Sequence, residues 1–462
     1  MDFIEREEEC DVLEKKYKSS KFEFVVIYGK RNVGKTTLIT SFCKDKKSIY
    51  FCGTRSSEKS NLERLSNDIN IFEKGINTNQ NFKSFYDALE YVFTLSLNEK
   101  IIFAIDEYPY IAKVREGLGT ILQLLIDKYR ENSKLMLIIS GSSVSYMEKE
   151  VMSYKAPLYG RRTAQIKIES LSFDSVYKFL SPFSPIDRAL FYGCIGGSLK
   201  YICEINKELS FEDNIKNLYL SSSSSLFNEV EMLINTEFGD NVNLQLVIEA
   251  VSNGKRKLSE IARYCSLSTS ETSYCMKILT EGGYVNKELP YGEKESKKSL
   301  YSLSDNMFCF WYRFIYKNLS FINMGKGEAL YKSIEPYFSE YMGFVFEDIC
   351  KQYLWKIRIE EKCPINFVSL GRWWGSGAES KVQEEIDIVG EENKTTALCG
   401  ECKWTNEKVS VKGIDKLISR SKLLKYSNFH YYLFSKMGFT EDCVKKAQLL
   451  DNVTLVKYED MF

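Results

Sequence analysis

The chain has 462 residues, and at roughly 150 residues per domain this length predicts about three domains rather than one compact core. With 44% hydrophobic and 27% charged residues, the composition is that of a globular protein and excludes extended intrinsic disorder. Because 63 Lys and Arg balance 63 Asp and Glu, any nucleic acid or anionic membrane would have to be bound by a local patch.

Cysteine and histidine usage restricts the chemistry further. The 13 cysteines are scattered along the chain, which differs from the paired framework of a small secreted domain and favours a reducing cytoplasm. The acidic start, and apolar stretches that all fall short of about 18 residues, predict neither a secretory signal nor a membrane partner. The single histidine, His430, excludes sites that need two imidazoles, so carboxylates, lysine or metal-bound water must transfer protons.

A nearly continuous apolar run at residues 22–28 predicts a strand that is buried on both faces of a parallel sheet. The loop that follows, residues 29–37, fits G-x-x-x-x-G-K-[ST] and leads directly into a helix, which is the context in which this motif binds phosphate. Its backbone N–H groups and Lys35 are expected around the phosphates of ATP, and the Thr36 hydroxyl is expected to ligate Mg²⁺. The predicted nucleotide-binding residues are Gly29, Asn32, Val33, Gly34, Lys35, Thr36 and Thr37.

A second apolar run, residues 101–105, ends in Asp106 and Glu107. Because the carboxyl end of a parallel strand lies beside the phosphate loop, Asp106 is predicted to hold Mg²⁺ and Glu107 to orient the attacking water. A third run, residues 134–139, ends in small hydroxyl residues at 140–143, which either sense the γ-phosphate or cap the next helix. Strands that alternate with helical patterns in this way predict a doubly wound parallel sheet.

Further segments resemble the archaeal-type P-loop ATPases of the AAA+/STAND branch. The matching stretches, F-x-x-R-x-x-E-x-x-x-L, S-G-S, P-L-Y-G-R and G-G-S-L-K-Y-I, begin at residues 3, 140, 157 and 196. In the last of them, Leu199 stands where the family usually has proline. The resemblance implies that Arg161, with Arg162 as the alternative, contacts the γ-phosphate in cis or from a neighbouring subunit of a homo-oligomer. An ion pair between Arg161 and a surface carboxylate is the competing interpretation.

The middle of the chain predicts a helical lid or junction at 171–238 and a winged helix-turn-helix at 239–320. The three helical patterns of the second segment are 244–251, 258–264 and 269–281, and a hairpin follows them. DNA binding would place the third helix in a groove and the wing on phosphate, but Lys277 is the only basic residue of that helix. A structural lid is an equally supported interpretation. An aromatic cluster at 308–314 either stacks bases or forms core.

Two alternating runs, residues 384–389 and 397–404, predict a hairpin near the C-terminus. With a period of two, Glu401 and Lys403 project from one face, and Asp387 on the adjacent strand can meet them. A phosphodiesterase that uses Mg²⁺ or Mn²⁺ needs such a set: Asp387 and Glu401 to ligate the metal, and Lys403 to stabilise the transition state or position a metal-bound hydroxide. Solvated charges on an exposed hairpin are the alternative.

Residues 337–462 resemble the domain of unknown function that follows the archaeal-type ATPase core, itself similar to PD-(D/E)xK nucleases. The segments that carry the resemblance are G-F-V-F-E, G-R-W-W, E-I-D-I-V and G-E-C-K-W. The last residue of the first segment, Glu347, lies where a helical metal ligand is expected and joins Asp387 and Glu401. The resemblance implies an α/β restriction-endonuclease-like domain at 330–462.

Two other candidate sites receive less support. Cys399 and Cys402 have metal-like spacing, but the chain contains no second C-x-x-C or C-x-x-H, and strand alternation is expected to point both thiols away from Glu401. His430 lies in an apolar strand pattern, where a hydrogen-bonded sheet histidine is more common than a metal ligand.

These patterns predict a multidomain α/β protein with an ATPase core at 1–170, the lid at 171–238, the winged helix at 239–320 and the nuclease-like domain at 330–462. The first functional hypothesis is an ATPase that couples its nucleotide state to DNA binding or metal-dependent DNA cleavage. The second is a nucleotide-dependent, STAND-like switch whose nuclease-like domain binds DNA or protein without cleaving it. The intact metal-ligating set favours the first hypothesis, and the lack of basic stripes near it favours the second.

Overall fold

The computed structural model describes residues 6–75, 81–239, 241–294, 298–376 and 383–462. Phe3 of the opening motif lies outside these ranges. The chain divides into two compact units: Met1–Leu171 with Ser198–Cys203, and Ser172–Gly197 with Glu204–Phe462. Residues 198–203, which fall within the predicted lid segment, therefore group with the first unit.

The strands and helices are numbered in chain order. The strands are β1 (Glu23–Tyr28), β2 (Ser48–Cys52), β3 (Ile101–Asp106), β4 (Leu135–Gly141), β5 (Ala164–Lys167), β6 (Val285–Glu288), β7 (Leu300–Leu303), β8 (Gly371–Ser376), β9 (Gln383–Asn393), β10 (Thr396–Lys403), β11 (Asn428–Ser435) and β12 (Val453–Lys457). The α-helices are α1 (Glu7–Tyr17), α2 (Lys35–Cys43), α3 (Glu58–Lys74), α4 (Phe85–Leu95), α5 (Tyr108–Val114), α6 (Leu118–Tyr129), α7 (Val144–Tyr146), α8 (Phe173–Phe179), α9 (Pro185–Ile195), α10 (Leu199–Ile202), α11 (Phe211–Tyr219), α12 (Glu229–Phe238), α13 (Val242–Ser252), α14 (Leu258–Cys265), α15 (Thr269–Glu281), α16 (Asn306–Phe310), α17 (Leu319–Asn323), α18 (Gly327–Ile334), α19 (Phe338–Ile359), α20 (Val411–Ser421) and α21 (Glu441–Gln448). Shorter π or 3-10 segments span Met147–Met152, Trp311–Ile315, Tyr316–Asn318, Glu335–Tyr337 and Tyr458–Met461.

The first unit is built on a parallel sheet in the strand order β2-β3-β4-β1-β5. Both faces are covered because alternate residues of each apolar strand enter different cores. Phe24 and Val26 pack with α3, α4 and α6 on one side, whereas Val25 and Ile27 pack with α1 and α2 on the other. The predicted doubly wound parallel sheet is confirmed, and the carboxyl ends of its strands meet at one edge.

In the second unit, α13, α14 and α15 are followed by β6 and β7, which pair antiparallel. Ser268 caps α15 through the Glu271 N–H, and Glu271 reaches back to the Ser268 N–H, which explains why that helix begins there. We call the described part of this hairpin, residues 285–294 and 298–303, the wing. Lys297, one of the basic residues of the hairpin turn, lies outside the described residues.

The aromatic cluster at 308–314 forms core rather than a base-stacking surface. Phe310 and Trp311 are 0% and 1% exposed, and the Trp311 indole N–H donates to the Phe227 carbonyl at 2.8 Å. A ring that has no free face cannot stack on a base.

The C-terminal sheet is mixed, with the strand order β12-β11-β10-β9-β8. Strands β10, β11 and β12 run parallel, while β8 and β9 are antiparallel to their neighbours. Helices α20 and α21 cover one face through Ile414, Leu417 and Cys443, and α19 packs along β9 and β10. The paired strands β9 and β10 are the predicted hairpin. Across the described residues, the structure contains no helix with the length and apolar character to span a bilayer.

Candidate functional site

The phosphate loop wraps tightly because its backbone adopts conformations that favour glycine. Gly29 has φ +154°, and a Cβ there would lie 2.1 Å from the Ile168 carbonyl oxygen. Gly34 has φ +102° and forms the N-cap of α2, while Asn32 has φ +64° between them. The main-chain N–H groups of the turn and the N-terminus of α2 together make a site for an anionic group.

Lys35 places its ammonium group inside this loop. The side chain is 5% exposed, and Nζ donates to the carbonyls of Gly29 at 2.8 Å and Lys30 at 2.6 Å. These carbonyls fix the position of the charge, as the interaction with the β- and γ-phosphates of a nucleotide requires.

Asp106 and Thr36 lie side by side at the carboxyl edge of the sheet. The Thr36 hydroxyl donates to Asp106 Oδ2 at 2.7 Å, and Asp106 is 1% exposed. Tyr50 also donates to Oδ2 at 2.8 Å, and Ser140 donates to Oδ1. A hydroxyl and a carboxylate in contact fit the ligand set of one Mg²⁺, so the predicted pair is brought together.

Tyr50 is a functional residue that sequence reasoning missed. It lies on β2, whose Cys52 pairs with Asp106 in the sheet. Burial, followed by the Asp106 carboxylate, raises the pKa of the Tyr50 hydroxyl, so Tyr50 remains a donor to that carboxylate. Its position two residues before the end of a strand was the only available signal.

Glu107 is held beside Asp106 in an uncommon backbone conformation. Its φ is +52°, a left-handed value that costs free energy for a residue other than glycine. Its N–H donates to Asp106 Oδ1 at 3.0 Å, and its carboxylate accepts from Ser142 Oγ at 2.8 Å. Ser140 near the end of β4 and Ser142 just after it therefore hold the two acids in place. Ser143 is the N-cap residue of α7 without a side-chain hydrogen bond to that helix, and sensing of the γ-phosphate stays a prediction.

Residues 198–202 of the G-G-S-L-K-Y-I segment belong to the first unit and fold back onto the phosphate loop. Ser198 donates to the Asn32 carbonyl at 2.9 Å, and the Asn32 amide donates to the Tyr201 hydroxyl at 2.6 Å. Leu199, which departs from the family pattern, lies 3.2 Å from where a Cβ on Gly34 would be. This segment supports the left-handed turn at Asn32, a long-range contact that the motif by itself did not reveal.

Arg161 is not placed on the nucleotide of its own chain. Its guanidinium binds both carboxylate oxygens of Asp127, with Nε at 2.8 Å and Nη2 at 2.6 Å. It precedes β5, whose first residue, Ala164, lies beside Val25 near the start of β1, whereas the phosphate loop follows the opposite end of β1. The structure therefore gives the in-cis role no supporting contact, and Arg162 donates instead to the Met152 carbonyl at 3.1 Å. Action from a neighbouring subunit stays a prediction.

For that role we expect Arg161→Ala to slow ATP hydrolysis by about 10³-fold while changing ATP affinity much less, because the guanidinium would offset charge that develops only in the transition state. Mixing with Lys35→Ala subunits, which retain Arg161, should restore part of the turnover. The matched control is Asp127→Ala, which breaks the same ion pair but keeps the arginine. Equal losses of hydrolysis in the two variants would mean that Arg161 only stabilises the fold.

The second cluster of predicted site residues lies on β9 and β10. The paired residues of the two strands end at Gly400 and Ile388, so Glu401 and Asp387 come next on adjacent strands. The Cys402 N–H donates to Asp387 Oδ2 at 2.9 Å, and Lys403 Nζ lies 2.5 Å from Glu401 Oε1. Glu401 is 5% exposed, so its carboxylate is not a solvated hairpin charge, whereas the Lys403 side chain is 43% exposed.

The carboxylates of this cluster repel one another. Burial, then Glu401 and Glu347, raises the pKa of the Asp387 carboxyl to about 7. Burial likewise raises the pKa of Glu347 against the opposing effect of Arg372. A bound divalent cation would stabilise the charged forms of both carboxylates. In this respect the donor set fits a metal.

Two arginines that sequence reasoning missed neutralise part of the set. Arg420 on α20 donates to Glu401 Oε2 at 3.1 Å and to Glu384 Oε2 at 2.7 Å. Arg372 on β8 forms an ion pair with Glu347. Among the described residues, no group of three His, Cys, Asp or Glu side chains is arranged to hold a metal ion. Glu401 and Glu347 are therefore each engaged by an arginine, and binding of a metal by Asp387, Glu401 and Glu347 stays a prediction.

The expectation for Cys399 requires correction. Residues 399 and 401 have the same strand parity, so Cys399 shares the face of Glu401 and packs under α20 with Ile414. Only Cys402 lies on the other face, and both thiols are buried. His430 is the expected sheet histidine, with Nε2 at 2.8 Å from Thr454 Oγ1.

Comparison with family models matches both units of the chain. A family described as "ATPase domain predominantly from Archaea" matches residues 3–205. A second, described as "Archaea bacterial proteins of unknown function", matches residues 311–414. The first match contains the phosphate loop, Asp106 and Glu107, and the second contains Glu347, Asp387 and Glu401.

Individual relatives agree with the family matches. An uncharacterised protein of Methanocaldococcus jannaschii is 32% identical over 435 residues, which cover 93% of this chain and 94% of that protein. An uncharacterised ATP-binding protein of the same organism is 44% identical over 45 residues, 10% of this chain and 76% of that protein. The solved structure of a Walker-type ATPase from Pyrococcus abyssi superposes with a TM-score of 0.54 at 17% identity, covering 68% of this chain and 96% of that one. The structural likeness supports the fold.

Proposed function

The chain belongs to the family in which an archaeal-type ATPase domain precedes a domain of unknown function, and we propose that its first unit hydrolyses Mg·ATP to control metal-dependent DNA cleavage by its C-terminal domain. The observation that carries the ATPase proposal is the contact of Thr36 with Asp106, with Glu107 adjacent and fixed by Ser142. Hydroxyl, carboxylate and general base then lie at one edge beside the phosphate loop.

In this proposal different residues of the first unit bind the phosphates, orient the attacking water and hold the metal. The loop N–H groups and Lys35 bind the phosphates, and Glu107 orients the attacking water for transfer of the γ-phosphoryl group. Thr36 and Asp106 would hold Mg²⁺, which supplies positive charge to the β- and γ-oxygens. Tyr50 and Ser140 keep the Asp106 carboxylate in position through their hydrogen bonds.

For the C-terminal domain we propose that Asp387 and Glu401 bind Mg²⁺ or Mn²⁺ and that Lys403 stabilises the charge developing on a scissile phosphate. The support is the closeness of the Asp387 and Glu401 carboxylates, the second of which is buried, with a lysine 2.5 Å from Glu401. Such a set performs metal-assisted phosphodiester hydrolysis when a metal polarises the phosphate.

The segment 242–303 we assign to a winged helix-turn-helix in a mainly structural role. Lys277, the only basic residue of α15, has its ammonium 3.9 Å from Glu281. The turn of the wing is docked on β8, where the Tyr291 N–H donates to the Arg372 carbonyl at 2.9 Å. A wing held in this way is not available to contact DNA phosphate.

The alternative is a nucleotide-dependent, STAND-like switch whose C-terminal domain binds DNA or protein without cleaving it. One observation favours it: Arg372 and Arg420 already neutralise Glu347 and Glu401. A non-catalytic domain could retain such buried ion pairs for stability alone.

A cleavage assay distinguishes the two proposals. The full chain is incubated with several DNA structures and Mg²⁺ or Mn²⁺, with and without ATP. We expect metal-dependent cleavage that Asp387→Ala abolishes and that Lys35→Ala uncouples from ATP. Asp415→Ala, an exposed acid of α20 in the same domain, is the matched control. Activity that survives Asp387→Ala would exclude this site, and binding without cleavage by the unmodified chain would favour the switch.

A further inference from the structure

Arg372 is a buried cation at the edge of the candidate metal centre. Its side chain is 5% exposed, its Nη2 is paired with Glu347, and its Nε lies 3.2 Å from Glu385 Oε1. Its Nη1 is buried and forms no hydrogen bond. A guanidinium with incomplete hydrogen bonding remains in this place because two carboxylates hold it there.

The main chain of the same residue holds the wing. The Arg372 carbonyl accepts the Tyr291 N–H at 2.9 Å, and the Tyr291 hydroxyl accepts the Glu391 N–H at 2.8 Å. The Tyr291 ring also packs against Gly371, where an added Cβ would lie only 2.8 Å from it. Arg372 thus contacts the wing with its backbone and Glu347 with its side chain.

A second arginine, Arg256, lies near Arg372 on the side of the wing. Arg256, at the base of α14, lies 3.4 Å from Glu288 of β6. Burial, then the nearby Arg372, lowers the pKa of Arg256. The Arg256 side chain is 24% exposed, and it lies near enough to the buried Arg372 for the two guanidinium groups to repel each other.

The wing is docked without being tightly packed. A cleft of about 560 Å³ lies between the turn of the wing and β8, lined by Pro290, Lys294, Lys351 and Arg372 among others. The wing contacts β8 through hydrogen bonds and two aromatic side chains, Tyr291 and Trp374, whose indole N–H donates to the Lys298 carbonyl at 3.2 Å. A contact of this kind beside a cleft can open locally before the rest of the fold.

We propose that the docked wing holds the metal centre closed, because it keeps Arg372 paired with Glu347, and that undocking lets Glu347 join Asp387 and Glu401 in binding a divalent cation. A guanidinium and a divalent cation compete for the same carboxylate, since both are positive and only a few ångströms would separate them. The inference rests on the proposed metal centre and adds its regulation.

The test measures Mn²⁺ affinity of the full chain by isothermal titration calorimetry, with heat that survives in Asp387→Ala subtracted as belonging to other sites. Arg372→Gln removes the competing charge, and Tyr291→Ala undocks the wing while leaving Arg372 in place. Both variants should bind Mn²⁺ at least about five-fold more tightly than the unmodified chain, the lower end of ordinary coupling between sites. Gly371→Ala, which displaces the Tyr291 ring from the other side, should act in the same direction.

Tyr426→Phe is the control, because the Tyr426 hydroxyl donates to the Glu391 carboxylate at 2.9 Å and lies off the wing. It should leave the affinity unchanged. Damage to the fold would weaken Mn²⁺ binding rather than strengthen it. Equal or weaker Mn²⁺ affinity in Tyr291→Ala therefore overturns the inference. This outcome can be read even if Arg372→Gln fails to fold. If neither the unmodified chain nor any variant binds Mn²⁺ in a way that depends on Asp387, the metal centre itself is refuted. If the unmodified chain binds Mn²⁺ but no variant binds it more tightly, only the gating is refuted.

Discussion

Replacing Glu107 by glutamine should slow ATP hydrolysis by about 100-fold or more while leaving ATP binding nearly intact. Glutamine keeps the size of the side chain and can still accept the hydrogen bond from Ser142 that holds Glu107 at 2.8 Å. It cannot take a proton from the attacking water. Steady-state phosphate release and a nucleotide-binding titration on the same preparation measure the two effects separately.

Two further variants locate the cause of that loss. Lys35→Ala removes the charge that the Gly29 and Lys30 carbonyls hold inside the loop, so it should weaken ATP binding as well as hydrolysis. Ser142→Ala frees the Glu107 carboxylate without neutralising it and should give an intermediate rate. Full activity in Glu107→Gln would show that another group orients the water, and unchanged binding in Lys35→Ala would remove the basis for the nucleotide site.

At the C-terminal centre, Asp387→Asn should abolish the stabilisation that Mn²⁺ gives to the folded chain. Asparagine still accepts the Cys402 N–H that Asp387 accepts at 2.9 Å, so the hairpin should fold. It removes one of two neighbouring carboxylates, and with it the metal's preference for the folded state. At Mn²⁺ concentrations near 100 times the dissociation constant, the unmodified domain should gain about 2.7 kcal/mol, and the variant close to none.

The measurement is the thermal midpoint of unfolding with and without Mn²⁺, and Asp415→Asn on the exposed side of α20 is the control. Without metal, Asp387→Asn should be as stable as the unmodified chain or more stable at neutral pH, because it takes a repelled charge out of a buried site. An identical Mn²⁺ response in Asp387→Asn would place the metal elsewhere. A large loss of stability without metal would mean that the carboxylate serves the fold.

Features set by short stretches of chain could be predicted before the structure was known. The phosphate loop is such a feature, because its glycines, Lys35 and Thr36 lie within nine residues between a strand and a helix. Asp106 was placed beside it by a rule that holds for all parallel sheets. The hairpin that brings Asp387 and Glu401 onto adjacent strands was also accessible, since two alternating runs separated by a polar turn predict it.

The partners of these residues were decided by the tertiary structure. Tyr50 and Ser140 reach Asp106 from 56 and 34 residues away, and Arg372 and Arg420 reach Glu347 and Glu401 from 25 and 19 residues away. Strand order and helix packing decide which residues contact one another across such separations. A local sequence pattern contains no information on either.

Arg161 is a residue whose partner the local sequence motif did not predict. Its motif resembles that of an arginine that contacts phosphate, yet its strand begins at the amino edge of the sheet, so the side chain meets Asp127 instead. The sequence determined which side chains could perform phosphoryl chemistry, because residue type and local spacing decide that. Only the tertiary structure decided which of them meet, because a charged side chain pairs with whichever opposite charge the packing brings within reach.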